Sequence, residues 1–234
     1  MHYVIADIHG CRKQFFELLE KIKFSENDTL YILGDVLDRG FDPIGTLQDL
    51  MSYDNIVFIL GNHDYAFYCW VEKLGLELLN FQNEDDRWDF NSWLKDGGLP
   101  TMDSFLELAD KDKYKIIDYL KNASTYEEIG CNGKRYILVH AGIAGFQENK
   151  LLHEYSCSDF VYSSTDYKKR YFSDENTILV TGHMPTPNIR VDRKPEVYFG
   201  NGHIGMDCGC VFGGKLAAYC FETEEVIYVE GAYV

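Results

Sequence analysis

Three apolar segments near the start of the chain each run into a short polar segment. Residues 4–6 lead into Asp7-Ile8-His9-Gly10, residues 30–33 into Gly34-Asp35, and residues 56–60 into Gly61-Asn62-His63-Asp64. Between the first two, the helical spacing of apolar positions predicts a crossover helix that buries Phe15, Leu18, Leu19 and Ile22. Right-handed crossovers bring the carboxyl ends of parallel strands to one edge of a sheet. The pattern therefore predicts a β-α-β-α-β unit with its polar residues gathered at that edge.

The remaining chain divides into a helical part and a strand-rich part. Residues 65–119 are predicted to be mostly helical with breaks at residues 83–86 and 97–100, and the acidic run 83–86 is expected to be a solvated face or loop. The Asn132-Gly133 step predicts a hairpin whose second strand ends at His140, and residues 177–180 predict a strand that runs into His183. Residues 197–229 predict a second, mostly antiparallel sheet.

Composition narrows the class of protein. A chain of 234 residues with 46% hydrophobic content fits one domain over residues 1–234. The 38 acidic against 22 basic residues give a net charge of −16, which disfavours nucleic acid as a partner. Seven cysteines without a scaffold spacing indicate reduced thiols. The first strand begins near Met1 with no signal segment, and no apolar run reaches membrane length, so we expect a soluble, cytoplasmic protein without a membrane partner. Composition predicts no oligomeric state.

Six side chains that suit metal ions follow the predicted strands, and they combine carboxylate, amide and imidazole groups: Asp7, His9, Asp35, Asn62, His140 and His183. One ion rarely takes so many protein ligands and still leaves a position for water, so two ions that share a carboxylate are expected. In such sites the ions lie about 3.5–4 Å apart and promote in-line displacement at phosphorus. Their charge would attract a phosphoryl group despite the acidic chain.

Two further side chains in these loops suit phosphate chemistry. Arg39 lies beside Gly40 in the loop that carries Asp35, where its planar guanidinium is placed to bind phosphate, although a surface cation is the alternative. His63 follows a strand within a glycine-containing loop, as the candidate histidine ligands do. The pattern therefore predicts a metal site that cleaves phosphate esters.

The ordered motifs resemble the signature set of the phosphoprotein phosphatase family, within the calcineurin-like metallophosphoesterases. The matching segments are Asp7-Ile8-His9-Gly10, Gly34-Asp35-Val36-Leu37-Asp38-Arg39-Gly40, Gly61-Asn62-His63-Asp64, His140 and Thr181-Gly182-His183. Residues 207–216 also resemble the closing segment of the compact bacterial and phage branch. The resemblance implies an α/β fold, a sandwich of two central mixed β-sheets flanked by α-helices.

The resemblance also implies a role for each site residue. The first metal ion would be held by Asp7, His9 and Asp35. Asp35 would bridge to the second ion, which is completed by Asn62, His140 and His183. The resemblance to the bacterial branch favours manganese as the metal, and iron and zinc are the alternatives.

The catalytic roles follow from the same resemblance. His63 would protonate the leaving alkoxide, and Asp64 would orient its imidazole. Arg39 would clamp the phosphoryl oxygens, with Asn62 also contacting the phosphate. The nucleophile would be a hydroxide activated by both metal ions, without a covalent phosphoenzyme.

One departure from the family pattern concerns a second phosphate-binding arginine. The family commonly supplies it in a Trp-x-Arg context between the last two histidine motifs, where this chain has Asp159-Phe160-Val161-Tyr162-Ser163-Ser164. Arg170, in a Lys-Lys-Arg run further on, is the candidate substitute, with an exposed basic helix face as the alternative.

The sequence therefore predicts a metal-dependent phosphomonoesterase, with serine/threonine protein phosphatase as the preferred activity because of the Asp38-Arg39-Gly40 form of the second motif. Its partner would be a phosphoprotein or a small phosphate ester. A symmetrical diadenosine tetraphosphate hydrolase is the alternative, because those enzymes share these motifs and a similar Gly-Gly-Lys-Leu ending. An inactive module that binds phosphoproteins is a third hypothesis, which the intact His63 and Arg39 disfavour.

Overall fold

The computed structural model describes residues 1–233, which form two β-sheets with helices on their outer faces. The strands within these residues are β1 (His2–Ile5), β2 (Thr29–Leu33), β3 (Ile56–Ile59), β4 (Tyr126–Cys131), β5 (Lys134–Val139), β6 (Thr177–Thr181), β7 (Tyr198–Gly200), β8 (His203–Gly205), β9 (Lys215–Cys220) and β10 (Val226–Glu230). The α-helices are α1 (Arg12–Ile22), α2 (Pro43–Leu50), α3 (Asn62–Leu74), α4 (Glu84–Trp93), α5 (Leu99–Leu106), α6 (Asp110–Lys121) and α7 (Cys157–Val161). Over this described range, every helix is too short or too polar to cross a membrane.

The first sheet has the order β10-β9-β1-β2-β3, and its parallel part is the predicted β-α-β-α-β unit. In the register of β1, β2 and β3, Val4 lies opposite Tyr31, and Ile32 lies opposite Phe58. Helix α1 buries the four residues whose spacing predicted it, Phe15, Leu18, Leu19 and Ile22. The fold prediction, a sandwich of two mixed sheets flanked by helices, is confirmed.

The second sheet has the order β4-β5-β6-β8-β7, with β5, β6 and β8 parallel and antiparallel strands at both edges. Asn132 and Gly133 have φ values of 50° and 73° in the tight turn of the predicted hairpin. The prediction that residues 197–229 form their own sheet is wrong. Strands β7 and β8 extend the second sheet, whereas β9 and β10 pair antiparallel beside β1. That pairing satisfies backbone groups that would otherwise leave the β1 edge open.

Alternation along the strands divides the core into layers. Val4 of β1 points between the two sheets, where it shares a cluster with Leu138 and Val180, whereas Tyr3 and Ile5 point toward the helices. This follows from the period of two in a strand, because successive side chains face opposite sides of the sheet. Both sheets are therefore covered on two faces, and the edge at the carboxyl ends of their parallel strands stays available for a site.

Helices α3 to α6 form the helical segment predicted between the two sheets. The acidic run opens α4 instead of forming a loop: Asn83 accepts the backbone N–H of Asp86, and the acidic residues occupy the first turn. Negative charge is favourable there because free N–H groups give the helix start a positive potential. A kinked turn (Leu94–Gly98), in which Gly97 has a φ of 115°, then joins α4 to α5.

Candidate metal centre

The six predicted metal ligands come together at one edge of the sandwich. Asp7 and His9 follow β1, Asp35 follows β2, Asn62 begins α3 directly after β3, His140 follows β5, and His183 follows β6. Ligand atoms of Asp35, His140 and His183 all lie within 4.8 Å of one another, and so do those of Asp35, His9 and His63. Asp35 belongs to both groups, which is the arrangement expected of a bridging carboxylate, and His63 in the second group is not one of the six predicted ligands.

The backbone of this cluster is held in a conformation that ordinary residues avoid. Asp7, His9, Asp35 and His183 have φ values of 53°, 44°, 52° and 63°. Such left-handed residues cost of order 1–3 kcal/mol each and persist only where the surroundings fix them. Here the Asp7 carboxylate accepts the His183 N–H at 3.0 Å, and the His9 N–H donates to the Asp35 carbonyl at 2.8 Å. The strained positions are thus tied to one another across both sheets.

The histidines present lone pairs toward the centre of the cluster. The Leu37 carbonyl oxygen lies 2.8 Å from Nδ1 of His9 and can only accept, so Nδ1 carries the hydrogen and Nε2 keeps its lone pair. The Leu33 carbonyl fixes His140 in the same way at 2.6 Å. Nε2 of His140 consequently faces the cluster as a neutral nitrogen ligand.

Two acceptors face each other in this cluster, Oδ1 of Asn62 and Nε2 of His140, which is the pattern that a cation stabilises. Oδ1 of Asn62 lies 2.8 Å from Nε2 of His140 and 2.8 Å from Nδ1 of His183. Burial, together with the charges of Asp207 and Asp35, raises the pKa of Asp7. Burial also lowers the pKa of His183 to about 4, so its imidazole is neutral, as a metal ligand must be.

Two divalent ions fit these residues. The donor set combines carboxylate, amide and imidazole groups, and the cation beside its buried carboxylates is the half-buried Arg39. Residues Asp7, His9, Asp35, Asn62, His140 and His183 would hold the ions. Bound cations would offset the mutual repulsion of the carboxylates.

Arg39 lies directly over the cluster. Its two terminal guanidinium nitrogens donate to Nε2 of His9 at 2.6 Å and to Nε2 of His63 at 2.7 Å. A metal ion held by His9 would take the same lone pair, which would leave one guanidinium N–H of Arg39 for other acceptors. The backbone N–H of Arg39 donates to the Gly97 carbonyl at 2.8 Å, and this bond anchors the residue to the turn between α4 and α5.

The prediction that Asp64 orients the His63 imidazole is wrong. Adjacent residues on a helix point about 100° apart and do not face each other. Asp64 instead turns back over the start of α3, where burial raises its pKa to about 7. Its carboxylate accepts four backbone N–H groups at 2.7–3.1 Å, from Asp35, Val36, Leu37 and Gly61. Asp64 therefore joins the second and third motif loops.

Asp38 occupies the orienting position instead. Its Oδ2 lies 2.7 Å from Nδ1 of His63 and accepts the indole N–H of Trp93 at 2.8 Å. Its Oδ1 accepts the hydroxyl of Thr101 at 2.6 Å. Burial lowers the pKa of His63, but the charge of Asp35 and the bond to Asp38 outweigh it, so the pKa lies above its usual value. This buried carboxylate fixes which nitrogen of His63 faces the site.

The profile of the calcineurin-like phosphoesterase family matches residues 3–229. The chain belongs to the calcineurin-like phosphoesterase family. Among curated relatives, it is 27% identical to an asymmetrical bis(5'-nucleosyl)-tetraphosphatase of Oceanobacillus iheyensis, over 97% of this chain and 90% of the relative. It is 23% identical to a symmetrical bis(5'-nucleosyl)-tetraphosphatase of Nitrosospira multiformis, over 97% and 95%. A crystal structure provisionally named as a diadenosine tetraphosphatase aligns with a TM-score of 0.70 at 21% identity, covering 100% and 94%, and this likeness shows the shared fold.

The predicted second phosphate-binding arginine does not reach the site of this phosphoesterase. Arg170 donates to the backbone carbonyls of Phe172, Asp174 and Glu175 at 3.0, 3.1 and 2.7 Å. These carbonyls precede β6, whereas the cluster lies beyond the opposite end of that strand. Arg170 therefore has a structural role, and its prediction as a phosphate ligand is wrong.

The segment that replaces the family's arginine motif places an aromatic residue at the rim. The Phe160 carbonyl accepts the Ala141 N–H at 2.9 Å, which holds this segment beside His140. The ring of Tyr162 lies 6.0 Å from that of Tyr65, which is in the first turn of α3. Over residues 1–233, Arg39 is the arginine that contacts the histidines of the cluster.

Sequence reasoning missed four residues that shape the site. Asp38 belongs to the second of the matching motifs, but nothing in the sequence indicates its buried contact with His63. Asp207 lies in the closing segment, and burial raises its pKa to about 7 close to Asp7. Trp93 and Thr101 come from the helical segment, where only the glycine pair 97–98 marked a special conformation.

Proposed function

We propose that this phosphoesterase hydrolyses dinucleoside polyphosphates, with diadenosine tetraphosphate as the representative substrate. The observation that carries the proposal is the activity named for its relatives, because bis(5'-nucleosyl)-tetraphosphatases of both the symmetrical and the asymmetrical kind align with 97% of the chain. The fold alone does not discriminate between phosphoesterase substrates. The expectation of a phosphoprotein substrate gains no support from these relatives.

The residues of the cluster suit the chemistry of this reaction. Two bound divalent ions would lower the pKa of water and offset charge on the phosphoryl oxygens. Arg39 presents a planar pair of N–H donors that matches two phosphoryl oxygens. His63, held through Nδ1 by Asp38, directs Nε2 into the site. Once the Arg39 N–H that Nε2 accepts turns to a phosphoryl oxygen, Nε2 can carry the proton that the leaving oxygen takes.

The leaving group gives the proposal a specific chemical consequence. Hydrolysis of a dinucleoside polyphosphate releases a nucleotide through a phosphate oxygen, which is far less basic than the alkoxide of a phosphoserine. Protonation by His63 therefore contributes less to the proposed reaction than to phosphopeptide hydrolysis. His63→Asn should reduce phosphopeptide turnover by a larger factor than dinucleotide turnover.

A side-by-side assay tests the function. Protein with measured manganese content is given diadenosine tetraphosphate and peptides that carry phosphoserine, phosphothreonine or phosphotyrosine. We expect kcat/KM for the dinucleotide to exceed that for each peptide by more than about tenfold, the factor that corresponds to 1.4 kcal/mol in transition-state binding. Adenosine diphosphate as the sole product indicates symmetrical cleavage, and adenosine triphosphate with adenosine monophosphate indicates asymmetrical cleavage.

The same assay has two outcomes that contradict the proposal. Faster hydrolysis of the phosphopeptides assigns the protein to the protein phosphatases. No turnover of any substrate by metal-loaded protein, with no further change in His63→Asn, indicates a binding module.

A further inference from the structure

We propose that a cavity beside Arg39 binds a nucleobase of the substrate and that Phe212 is its stacking platform. This inference rests on the proposed function, because it names the part of the site that distinguishes a nucleotide from other phosphate esters. The cavity has a volume of 320 Å³ and is lined by Arg39, Lys95, Asp96, Gly97, Val211 and Phe212. Binding sites for small molecules occupy clefts of about this size or larger.

The position of the cavity joins it to the reacting phosphate. Arg39 lines the cavity, and its guanidinium also contacts His9 and His63 in the cluster. Oδ2 of Asp96 lies 3.9 Å from Nε2 of His63. A substrate whose phosphate is bound by Arg39 therefore has its nucleoside close enough to enter this cavity.

Phe212 has the properties of a stacking residue. Phe212 is 55% exposed, and the Arg39 guanidinium lies 5.4 Å from its ring centroid. Every nucleobase has a π-face that stacks on an aromatic ring, and arginine adds cation–π attraction. Lys95 and Asp96 at the same cavity supply a donor and an acceptor for polar groups of a nucleoside.

Backbone hydrogen bonds hold the loop that carries Phe212, which fixes the position of its Cα beside Arg39. Backbone N–H groups of Phe212 and Gly214 donate to the Gly209 carbonyl at 3.0 and 2.9 Å. Residue 232 closes the turn from the C-terminal segment, where its N–H donates to the Cys210 carbonyl at 2.8 Å. Preorganisation of this kind reduces the entropy lost on binding.

A larger cavity elsewhere does not fit this role. It has a volume of 490 Å³ and contains Phe199, which is 52% exposed, together with Arg170. None of its lining residues belongs to the metal cluster. Phe199 is therefore a matched control, since it is a phenylalanine of similar exposure that lies away from the cluster.

The test uses two measurements on the wild-type protein and on Phe212→Ala, Phe212→Trp and Phe199→Ala. The first is kcat/KM for diadenosine tetraphosphate. The second is inhibition of p-nitrophenyl phosphate hydrolysis by adenosine diphosphate relative to pyrophosphate, which carries the same phosphates without a nucleoside. This ratio reports the nucleobase contact even if the dinucleotide is not a substrate.

We expect Phe212→Ala to lower kcat/KM for the dinucleotide roughly five- to a hundredfold, mainly through KM, as loss of base stacking does. The preference for adenosine diphosphate over pyrophosphate should fall by a similar factor. Phe212→Trp should retain both values, and Phe199→Ala should leave both unchanged.

Two results would overturn the subsite. One is equal inhibition of the wild-type protein by adenosine diphosphate and pyrophosphate. The other is a Phe212→Ala variant that keeps the wild-type preference. Failure of the proposed function has a different signature, in which p-nitrophenyl phosphate is hydrolysed and the dinucleotide is not.

Discussion

The floor of the site and the wall beside it are built in different ways. The floor consists of the six expected metal ligands, Asp7, His9, Asp35, Asn62, His140 and His183. The wall consists of residues 93–101 and 211–212, which surround Arg39 and His63. Floor residues follow strands of both sheets directly, whereas wall residues come from the helical segment and the last loop. The ligands of the floor are largely buried, and the wall exposes Phe212 and Asp96.

This difference separates two tasks. The floor collects neutral imidazoles and carboxylates around a position that suits cations. The wall holds no expected metal ligand but fixes the groups that act on the substrate, since Trp93 and Thr101 bind Asp38 and Gly97 anchors Arg39. Substitutions in the floor should therefore remove metal ions, and substitutions in the wall should impair turnover while the ions stay bound.

The largest effect is expected for Asp35→Asn in the floor. This change removes the carboxylate shared by both ligand groups, so bound metal should fall below one ion per chain. Activity should fall more than about a thousandfold, because metal ions supply several kcal/mol of transition-state stabilisation. Metal analysis and steady-state kinetics check both effects. The control variant Asp112→Asn, at a half-buried position on α6 outside the cluster, should keep wild-type values, and full metal content in Asp35→Asn would contradict its bridging role.

A smaller effect is expected for Asp38→Asn. Asp38 joins the wall residues Trp93 and Thr101 to His63. The amide keeps the shape of the side chain but removes the charged acceptor of Nδ1 of His63. We expect kcat to fall roughly ten- to a hundredfold, which is less than the 10²–10⁴ that general acid–base catalysis contributes. Metal content should stay at the wild-type level. Loss of metal ions in this variant would show that the wall and the floor are not separate.

Gly97→Ala tests the anchor of Arg39. Gly97 has a φ of 115°, and a Cβ there would lie 2.5 Å from Cγ of Arg39. Displacement of the guanidinium should lower kcat/KM about tenfold, within the range for a hydrogen bond to a charged group. Gly130→Ala is the control, because its φ lies outside the left-handed region and no atom lies within 4 Å of the added carbon. Equal kcat/KM values for the two variants would show that Gly97 does not position Arg39.

The smallest effect is expected for Arg170→Ala. Arg170 donates to three carbonyls ahead of β6 and lies outside both floor and wall. Its loss should lower the free energy of unfolding by about 1 kcal/mol, the net value of ordinary hydrogen bonds, and should leave kcat/KM within about twofold of wild type. Denaturant unfolding and steady-state kinetics measure the two quantities. A large rise in KM would restore Arg170 as a phosphate ligand.

The floor could be predicted from sequence because each of its residues directly follows a run of strand-like residues. Once the strands are parallel and share an edge, the positions of Asp7 and Asp35 follow from the chain direction alone. The two mixed sheets were also predictable, although the destination of β9 was not, since open edges on either sheet could have accepted it. Adjacency in sequence misled the assignment of Asp64, because neighbours on a helix point in different directions.

The wall could not be predicted, because its contacts join segments far apart in the chain. Asp38 meets Trp93 and Thr101 across separations of 55 and 63 residues, and no periodicity indicates such a meeting. Phe212 was part of a quoted segment, but only the folded chain places it against Arg39. Long-range contacts of loops and helical segments determine this part of the site.

Metal content of Asn62→Ala and His63→Asn, measured together with turnover, tests most directly whether the metal ligands of the floor are separate from the groups that the wall positions. These residues are neighbours in the chain, but Asn62 belongs to the ligand set and His63 is held by Asp38 of the second motif. The account predicts that Asn62→Ala loses the second ion. It predicts that His63→Asn keeps both ions and loses turnover by about a hundredfold, at the lower end of the range for a general acid. Equal loss of metal in the two variants would contradict it.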